Sequence, residues 1–462
     1  MHISHVAAEC APLIKVGGLA DVVFGLSRQL VTKGHTVEVI LPYYKTIDKT
    51  ALSELTLLSE DFHNARIWQA KMYGICITLI DPLHHDYYKR DNVYGYKDDL
   101  LRFGTFSLIS HQYLLKKESL DVVHLHDWHT ALIAFLNNHA YYPTLYTIHN
   151  LSYMGECRKR FFSTLRIDQT RIESIKQDGC YNIMKAGLLY ADQITSVSKS
   201  YVEEIIYTTM GESLQPTLLA RKEKIIGIVN GIDKDFWDPA KDPYLPYNFS
   251  LTELNNKKRL KEYVKKQFRI ESEKDFLACS ITRLVPQKGP ELIIEAIKEV
   301  VELGGSYILL GSAQDPAIEA QFIKLKKEIK NSHALHLELV YDEKLSHLVY
   351  GASDLFVMPS IFEPCGLTQL IALQYGNIPL VRETGGLKDT VFEGINGFTF
   401  EAPKGPEIRK AVKRAFALWE SNPTAWAQLI QTAMQEDHSW QKSTDKYLSL
   451  YEEIKKKTIF IS

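Results

Sequence analysis

The sequence predicts an α/β protein made of two doubly wound domains, each built on a mostly parallel sheet. The chain has 462 residues, which is too many for one ordinary hydrophobic core. Short apolar runs alternate with helical patterns almost throughout, as expected of parallel strands covered by helices on both faces. This alternation lapses once, in a stretch rich in Pro, Asp and Tyr at 236–250, and then restarts.

The first half of the chain begins with a strand candidate at 3–8 and a helix at 19–33 that Gly34 ends. The next strand, 36–41, is closed by Pro42. Further strands are expected at 121–125, 143–148, 193–197 and 225–229.

The second half restarts with a charged helix at 254–268 and a strand at 276–281. Later strands, each followed by a turn and a helix, are expected at 307–310, 335–340, 355–358 and 379–381. We therefore expect an N-terminal domain over 1–240 and a C-terminal domain over 252–438. Ligands of such sheets bind beyond the carboxyl ends of the strands, so two facing sheets predict a binding cleft between the domains.

Composition and charge exclude several classes of partner and site. The net charge is -2 and no basic patch is interleaved with aromatic residues, so neither nucleic acid nor an anionic membrane is an expected partner. The six cysteines have no paired spacing, which argues against a zinc or disulfide framework. No apolar run approaches about 20 residues and the N-terminus lacks signal-peptide features, so we expect a cytoplasmic protein. The sequence lacks the G-x-S-x-G elbow that would indicate an acyl hydrolase.

The first motif is KVGGLAD at 15–21, between the first strand and the first helix. Gly17 and Gly18 let the backbone approach a ligand, the helix start offers free N–H groups to an anion, and Lys15 adds a positive charge. The pattern is neither a G-x-G-x-x-G fingerprint nor a P-loop. The alternative is a tight turn in which Asp21 balances the helix dipole.

The second motif, RLVPQKGP at 283–290, lies between a strand and a helix. It places Arg283 and Lys288 on one loop at the carboxyl end of the sheet. Two fixed cations there can hold a diphosphate and neutralise it as it leaves. The alternative is a solvated loop with two ordinary charges.

The third motif, EPCGLTQ at 363–369, also follows a strand and opens a helix. The N–H groups of Gly366, Leu367 and Thr368 can face an anion. A carboxylate such as Glu363 beside a phosphate site calls for a positive centre between them, and a sugar ring with oxocarbenium character is such a centre. The alternative is a helix N-cap carboxylate.

The fourth motif is the glycine turn TGGLKD at 384–389, which contains Gly385 and Gly386. It again joins a strand to a helix. Simple turn chemistry explains it as well as ligand binding does.

Two polar clusters in the first half lie at strand ends, HLHDWH at 124–129 and TIHN at 147–150. Asp127, His149 and Asn150 suit hydrogen bonding to sugar hydroxyls at these strand ends. A metal site from His126, Asp127 and His129 is the weaker reading of the spacing, since the neighbouring residues suggest a packed sheet end.

Together the motifs resemble those of bacterial glycogen synthases and plant starch synthases. The likeness runs from about residue 1 to 450. Its ordered motifs are KVGGLAD at 15–21, HDWH at 126–129, KAGLLYAD at 185–192, NGID at 230–233, EPCGLTQL at 363–370 and TGGL at 384–387.

The resemblance implies a GT-B glycosyltransferase with two Rossmann-like domains, an active site in the cleft, and a final helix at 439–462 that crosses back to the first domain. It implies extension of an α-1,4-glucan such as glycogen, with ADP-glucose as co-substrate, retention of configuration, and neither a metal nor another cofactor. It does not specify an oligomeric state.

The resemblance also implies roles for individual residues. Arg283 and Lys288 are implied to bind the distal phosphate, Tyr341 to stack on the base, Glu363 to face the transferred glucose, and His149 to contact its 6-hydroxyl. The implied catalytic residues are Glu363, Arg283, Lys288 and His149. The implied donor-binding residues are Lys15, Gly17, Gly18, Asp21, Asn230, Tyr341, Gly366, Leu367, Thr368, Gly385 and Gly386. The residues implied near the glucose or the acceptor are Tyr94, Asp127 and Asn150.

One departure from the wider superfamily supports the narrower resemblance. Many related retaining transferases have a second Glu eight positions after the first, where this chain has Ile371. The alternatives are a transferase that uses UDP-glucose or another acceptor, and a catalytically dead glucan-binding scaffold. A dead relative should have lost Lys15, Arg283, Lys288 or Glu363, and all four are present.

Overall fold

The computed structural model describes residues 1–83, 85–313, 315–340 and 342–459. The chain forms two compact units, Met1–Gly231 with Trp440–Ser462, and Ile232–Ser439. Each unit has its own hydrophobic core. The predicted domain ranges, 1–240, 252–438 and 439–462, stay a prediction, while the compact units change over after Gly231 and after Ser439.

The first unit contains a nine-stranded sheet and a small three-stranded sheet in the described part of the chain. Its strands are β1 (His2–Val6), β2 (Thr36–Pro42), β3 (Thr56–Ser59), β4 (Ala65–Met72), β5 (Ile75–Pro82), β6 (Val122–His126), β7 (Thr144–Ile148), β8 (Glu156–Cys157), β9 (Lys176–Gln177), β10 (Cys180–Asn182), β11 (Gln193–Ser196) and β12 (Ile225–Gly227).

The large sheet has the order β12-β11-β7-β6-β1-β2-β5-β4-β3. The pairings from β12 to β5 are parallel, and β4 is antiparallel to both β5 and β3. Every residue of β6 and β7 is buried, as expected for parallel strands covered on both faces. Strands β3, β4 and β5 were not predicted, because β3 has only four residues and charged residues interrupt the other two, Arg66 and Lys71 in β4 and Asp81 in β5.

Helices cover this sheet in the doubly wound manner that the sequence predicts. They are α1 (Gly18–Thr32), α2 (Asp99–Leu114), α3 (Trp128–Leu136), α4 (Arg160–Thr164), α5 (Ile183–Tyr190), α6 (Lys199–Tyr207) and α7 (Gln215–Ala220).

The second unit is built on a fully parallel sheet with the order β15-β14-β13-β16-β17-β18. Its strands are β13 (Leu277–Ile281), β14 (Ser306–Leu310), β15 (Leu335–Glu338), β16 (Leu355–Met358), β17 (Ile378–Arg382) and β18 (Phe398–Phe400). Its helices are α8 (Asn255–Gln267), α9 (Pro290–Glu302), α10 (Pro316–Glu328), α11 (Glu343–Ala352), α12 (Thr368–Gln374), α13 (Gly385–Lys388), α14 (Gly405–Ser421) and α15 (Pro423–Gln435). The prediction of two doubly wound parallel sheets is therefore confirmed.

The irregular stretch at 236–250 is part of the second unit. Leu245 and Phe249 are buried in its core. The carboxylate of Asp242 accepts a hydrogen bond from the hydroxyl of Tyr375 at 2.5 Å and lies 2.6 Å from Nδ1 of His347. The loss of strand-helix alternation in this stretch thus reflects an irregular segment that is packed and hydrogen-bonded.

The last helix, α16 (Trp440–Ile459), returns to the first unit. Tyr447, Tyr451 and Ile454 are buried in that unit's core. Among the helices of the described part of the chain, none combines the length and apolar composition that crossing a bilayer requires.

Candidate active site

In the second unit, Lys288 and Glu363 form an ion pair, with Nζ of Lys288 2.5 Å from Oε2 of Glu363. The same oxygen accepts a hydrogen bond from the hydroxyl of Ser360 at 2.9 Å. Lys288 ends a short 3₁₀ turn that follows β13, and Glu363 lies on the loop after the neighbouring strand β16. The side chains of Lys288 and Glu363 are only 15% and 8% exposed, so the pair is held largely out of solvent.

Backbone contacts fix the two loops against each other. The N–H of Ile361 donates to the carbonyl of Gln287 at 2.8 Å, and the side-chain amide of Gln287 donates to the carbonyl of Phe362 at 3.1 Å. Gly289 has φ +66°, and a Cβ there would lie 2.7 Å from the carbonyl oxygen of Pro359. The close approach of the lysine loop therefore requires glycine at position 289.

The glycine turn of the fourth motif supports the backbone of Glu363. The N–H of Gly386 donates to the Glu363 carbonyl at 3.0 Å. A Cβ at Gly385 would lie 1.9 Å from that carbonyl oxygen, and a Cβ at Gly386 would lie 2.3 Å from the carbonyl oxygen of Cys365. Packing alone thus explains both glycines, and their contact with a donor stays a prediction.

The start of α12 is set by Gly366, which has φ +75°. The side-chain amide of Gln369 donates to the carbonyls of Cys365 at 3.1 Å and Gly366 at 2.9 Å, which closes the turn. Leu367 and Thr368 begin the helix, where N–H groups have no acceptor within the helix itself. These N–H groups are the ones that the sequence predicts to face an anion.

Arg283 differs from Lys288 although both lie on the same loop. Its side chain is exposed, and its guanidinium has no hydrogen-bond or ion-pair partner among the described residues. The N–H of Leu284 donates to the carbonyl of Ser312 at 2.8 Å, which holds the loop that carries it. Arg283 is therefore available to an external anion.

In the first unit, the buried carboxylate of Glu9 organises the loop of the first motif. Its Oε2 accepts the N–H groups of Val16 at 2.5 Å and Gly17 at 3.0 Å, and its Oε1 accepts the hydroxyl of Tyr94 at 2.5 Å. Burial raises the pKa of Glu9 despite these donors. Glu9 was not among the residues predicted from the sequence, although a single carboxylate in the apolar run after the first strand is a signal that could have identified it.

Other residues of the first motif are Lys15, Gly17 and Asp21. Lys15 pairs with Asp21, with Nζ 2.8 Å from Oδ1. Gly17 has an extended backbone, with φ -148° and ψ -169°, that any residue can adopt. Apart from Gly17 and its two chain neighbours, no atom of a described residue lies within 4 Å of a Cβ built at Gly17. Neither packing nor backbone conformation within the described residues requires glycine here.

Asp127 joins the ends of β6 and β7. Its Oδ1 accepts the backbone N–H of His149 at 2.7 Å and that of Asn150 at 3.3 Å. Asp127 has φ +56° and ψ -176°, which is a strained conformation for a residue other than glycine. Burial raises the pKa of Asp127 to about 7. The structure thus brings together the three residues predicted to meet sugar hydroxyls.

The imidazole of His149 continues into the sheet. Its Nε2 lies 2.9 Å from Nδ1 of His126, and Nε2 of His126 lies 3.0 Å from Nδ1 of His5. Burial lowers the pKa of His149 to about 3, so the ring is neutral near pH 7. His149 can therefore act through hydrogen bonding and not through charge.

The metal reading of the sequence used His126, Asp127 and His129, whereas the histidines whose nitrogens lie within 4.8 Å of one another in the described part of the chain are His5, His124 and His126. The nitrogens of His124 are already engaged, Nδ1 with the hydroxyl of Tyr451 at 2.8 Å and Nε2 with the hydroxyl of Thr147 at 2.6 Å. Both nitrogens of His126 are also engaged. Hydrogen bonds therefore account for both nitrogens of His124 and of His126, and activity without a metal stays a prediction.

Three other predicted site residues have the following placement. Asn230 is buried, and its Oδ1 has no hydrogen-bond partner among the described residues. Asn150 uses its side-chain oxygen to accept the N–H of Ser152 at 3.0 Å. Tyr341, predicted to stack on the base, lies outside the described residues.

Comparisons with known proteins match both units. Residues 2–220 match the family model of the starch synthase catalytic domain, and residues 262–435 match that of the group 1 glycosyl transferases. The chain is 40% identical to the glycogen synthase of Protochlamydia amoebophila, covering 99% of this chain and 100% of that protein. It is 36% identical to glycogen synthase 2 of Methylococcus capsulatus, covering 98% and 100%.

A solved structure matches nearly the whole chain. It is the catalytic domain of starch synthase IV from Arabidopsis thaliana bound to ADP and acarbose, with a TM-score of 0.91 and 36% sequence identity. The match covers 98% of this chain and 99% of that one. The GT-B fold class expected from the sequence is confirmed.

Proposed function

This chain belongs to the family of glycogen and starch synthases, and we infer that it is a glycogen synthase that transfers glucose from ADP-glucose to the non-reducing end of an α-1,4-glucan with retention of configuration. As a member of this family it is a glycosyltransferase. ADP-glucose is supported by the ADP named in the starch synthase IV structure, and a glucan acceptor by the names of the relatives.

The ion pair between Lys288 and Glu363 is the observation that best supports this chemistry. Breaking the bond between glucose and diphosphate builds negative charge on the leaving phosphate and positive charge on the sugar ring. A cation and a carboxylate fixed 2.5 Å apart and largely shielded from solvent are suited to stabilise these two charges together. We assign Lys288 to the leaving diphosphate and Glu363 to the glucosyl ring.

Glu363 has an orienting and electrostatic role in this proposal and is not a covalent nucleophile. Its Oε2 already accepts hydrogen bonds from Lys288 and Ser360. Two donors on one oxygen lower the electron density that an attack on the sugar would need. The acceptor's 4-hydroxyl is then the attacking group, from the face that the diphosphate leaves.

Arg283 is proposed to bind the distal phosphate together with the N–H groups of Leu367 and Thr368. Its exposed guanidinium has no partner among the described residues, so binding phosphate breaks no ion pair there. A guanidinium can hold two phosphate oxygens at once.

The residues of the first unit are proposed to act on the donor and on sugar hydroxyls. Glycine at position 17 is required by neither packing nor backbone conformation within the described residues, which supports a role in letting a diphosphate approach Lys15. His149, Asp127 and Tyr94 are proposed to position hydroxyl groups of the glucose or of the acceptor. The neutral ring of His149 fits contact with an uncharged 6-hydroxyl.

A panel of nucleotide sugars with glycogen tests this function. The measurement is the nucleoside diphosphate released per unit time from ADP-glucose, UDP-glucose and GDP-glucose. ADP-glucose should give a kcat/KM at least about tenfold above UDP-glucose, or about 1.4 kcal/mol. Equal rates with ADP-glucose and UDP-glucose would reject the donor assignment, and no transfer from any donor would favour the glucan-binding scaffold.

A further inference from the structure

Three histidines on neighbouring strands form a continuous chain of hydrogen bonds. His5 lies in β1, His126 ends β6, and His149 follows β7, and the sheet order places β6 between the other two strands. The linking distances are 3.0 Å from His5 Nδ1 to His126 Nε2 and 2.9 Å from His126 Nδ1 to His149 Nε2. His5 and His126 are fully buried, while His149 retains 9% exposure.

Only two proton arrangements satisfy both hydrogen bonds when each ring is neutral and has one N–H. In the first, His149 donates from Nε2 to His126, His126 donates to His5, and the proton of His5 must lie on its Nε2. In the second, His5 donates from Nδ1 to His126, His126 donates from Nδ1 to His149, and the proton of His149 must lie on its Nδ1. The tautomer of His149 is therefore tied to that of His5.

Neutrality of the three rings follows from their environment. Burial lowers the pKa of His5 and of His149 to about 3 and lowers that of His126 well below its usual value. Each ring therefore has a single N–H near pH 7, as the two arrangements assume.

The surroundings of His5, the last ring in the chain of hydrogen bonds, distinguish the two proton arrangements. Nε2 of His5 is buried and has no hydrogen-bond partner among the described residues. The neighbouring ring of His124 cannot serve, because Tyr451 and Thr147 occupy its nitrogens. The first arrangement would bury an unpaired N–H at this position, whereas the second leaves only an unpaired lone pair. Unpaired buried N–H groups are the rarer defect in proteins, so the second arrangement is favoured.

We propose that His126 and His5 are positioning residues that fix the orientation of His149 and hold its proton on Nδ1, so that His149 presents a hydrogen-bond donor to an oxygen of the transferred glucose. Nδ1 of His149 has no partner among the described residues, which leaves it to a ligand. The role toward glucose rests on the proposed function, whereas the tautomer does not.

The tautomer is measured directly by nitrogen NMR of the substrate-free protein labelled with ¹⁵N-histidine. The signals of His149 are assigned by their disappearance in His149→Gln. We expect a protonated Nδ1 and an unprotonated Nε2 near pH 7, which is the tautomer that isolated neutral histidine disfavours. A protonated Nε2, or a doubly protonated ring, would overturn the proposal whatever the enzyme's activity.

The positioning role is measured with two sugar nucleotides, ADP-glucose and ADP-6-deoxyglucose. His126→Phe keeps a ring but removes both nitrogens. The preference for ADP-glucose in kcat/KM should fall by about tenfold, because one oriented hydrogen-bond donor to the sugar is lost. General damage to the fold lowers both rates and leaves their ratio unchanged. An unchanged preference in a folded His126→Phe protein would overturn the positioning role.

His111→Phe is the matched control. His111 is also a buried ring, 2.6 Å from the hydroxyl of Tyr142, but it lies on α2 outside the chain of hydrogen bonds. Its substitution should leave the donor preference unchanged. Should the wild-type protein use neither donor, the proposed function fails while the NMR measurement still decides the tautomer.

Discussion

The ammonium of Lys288 and the carboxylate of Glu363 lie 2.5 Å apart although 75 positions separate them in the chain. The parallel sheet explains this contact, because β13 and β16 are neighbours and the loops after both strands emerge at the same edge. A charge pair fixed by two strand ends is oriented before any substrate binds. Such preorganisation favours a role in the transition state.

Lys288→Ala should lower kcat by roughly 10²–10³. This is the loss expected when one preorganised group that stabilises charge in the transition state is removed. KM should change much less, since the charge on the leaving phosphate grows as the bond breaks. Steady-state kinetics with ADP-glucose and glycogen measure both values. Lys298→Ala is the control, because Lys298 pairs with Glu295 at 3.0 Å on the exposed surface of α9 and should be neutral. A raised KM with a normal kcat would contradict the assignment.

Glu363 should form no covalent bond to glucose. We expect intact-protein mass spectrometry of the enzyme, mixed with ADP-glucose without acceptor, to show no added glucosyl unit. Glu363→Gln should nevertheless lower kcat strongly, because the carboxylate charge opposite the developing oxocarbenium ion is lost. A glucosyl adduct that maps to Glu363 would show that the residue is a nucleophile.

Cys365→Ser should retain most of the activity. Cys365 is only 5% exposed, and it packs against the glycine turn, since a Cβ on Gly386 would lie 2.4 Å from its Cα. A helix start can make a thiol reactive, but burial here limits access by alkylating reagents. The comparison is of kcat/KM and of the rate of alkylation in the folded protein. Complete loss of activity in a folded Cys365→Ser protein would reveal a chemical role for the thiol.

Asp127 should make stability fall as pH rises toward neutrality. Burial raises its pKa to about 7, whereas an unfolded Asp titrates near about 3.9. The folded protein holds the proton more tightly, so this contribution to stability is full below about pH 4 and is lost as pH rises through about 7. Asp127→Asn cannot ionise but can still accept the N–H groups of His149 and Asn150.

Chemical denaturation across this pH range tests the assignment. The free energy of unfolding of Asp127→Asn minus that of the wild type should rise by up to about 1.4 kcal/mol per pH unit and level off above about pH 7. Asp61→Asn is the control, since Asp61 is exposed and also accepts one backbone N–H, that of Asn64 at 3.0 Å. A difference for Asp127→Asn that is flat or falls with pH would contradict the assignment.

The strand-helix alternation and the strand-end motifs were predictable from the sequence because each depends on local signals. Lys288, Glu363 and Asp127 all follow buried apolar strands, and parallel strands present their carboxyl ends at one edge. The contact between Lys288 and Glu363 required more, since it depends on β13 and β16 being neighbours in the sheet.

Other parts of the site depend on tertiary contacts that local patterns do not show. Glu9 binds the hydroxyl of Tyr94 across 85 positions. The chain of His5, His126 and His149 exists only because β6 lies between β1 and β7. Knowing the order of the strands would have brought these three rings together, while their proton arrangement follows only from the contacts of their side chains.

Product analysis after reaction with ADP-glucose and glycogen tests the central claim most directly. Glucose labelled at C1 in the donor allows NMR to read both the linkage and the anomeric configuration of the added residue, alongside the amount of ADP released. We expect one ADP per glucose added, with every new residue α-1,4-linked at a non-reducing end. A β-linked product, a different linkage, or ADP release without growth of the glucan would contradict it.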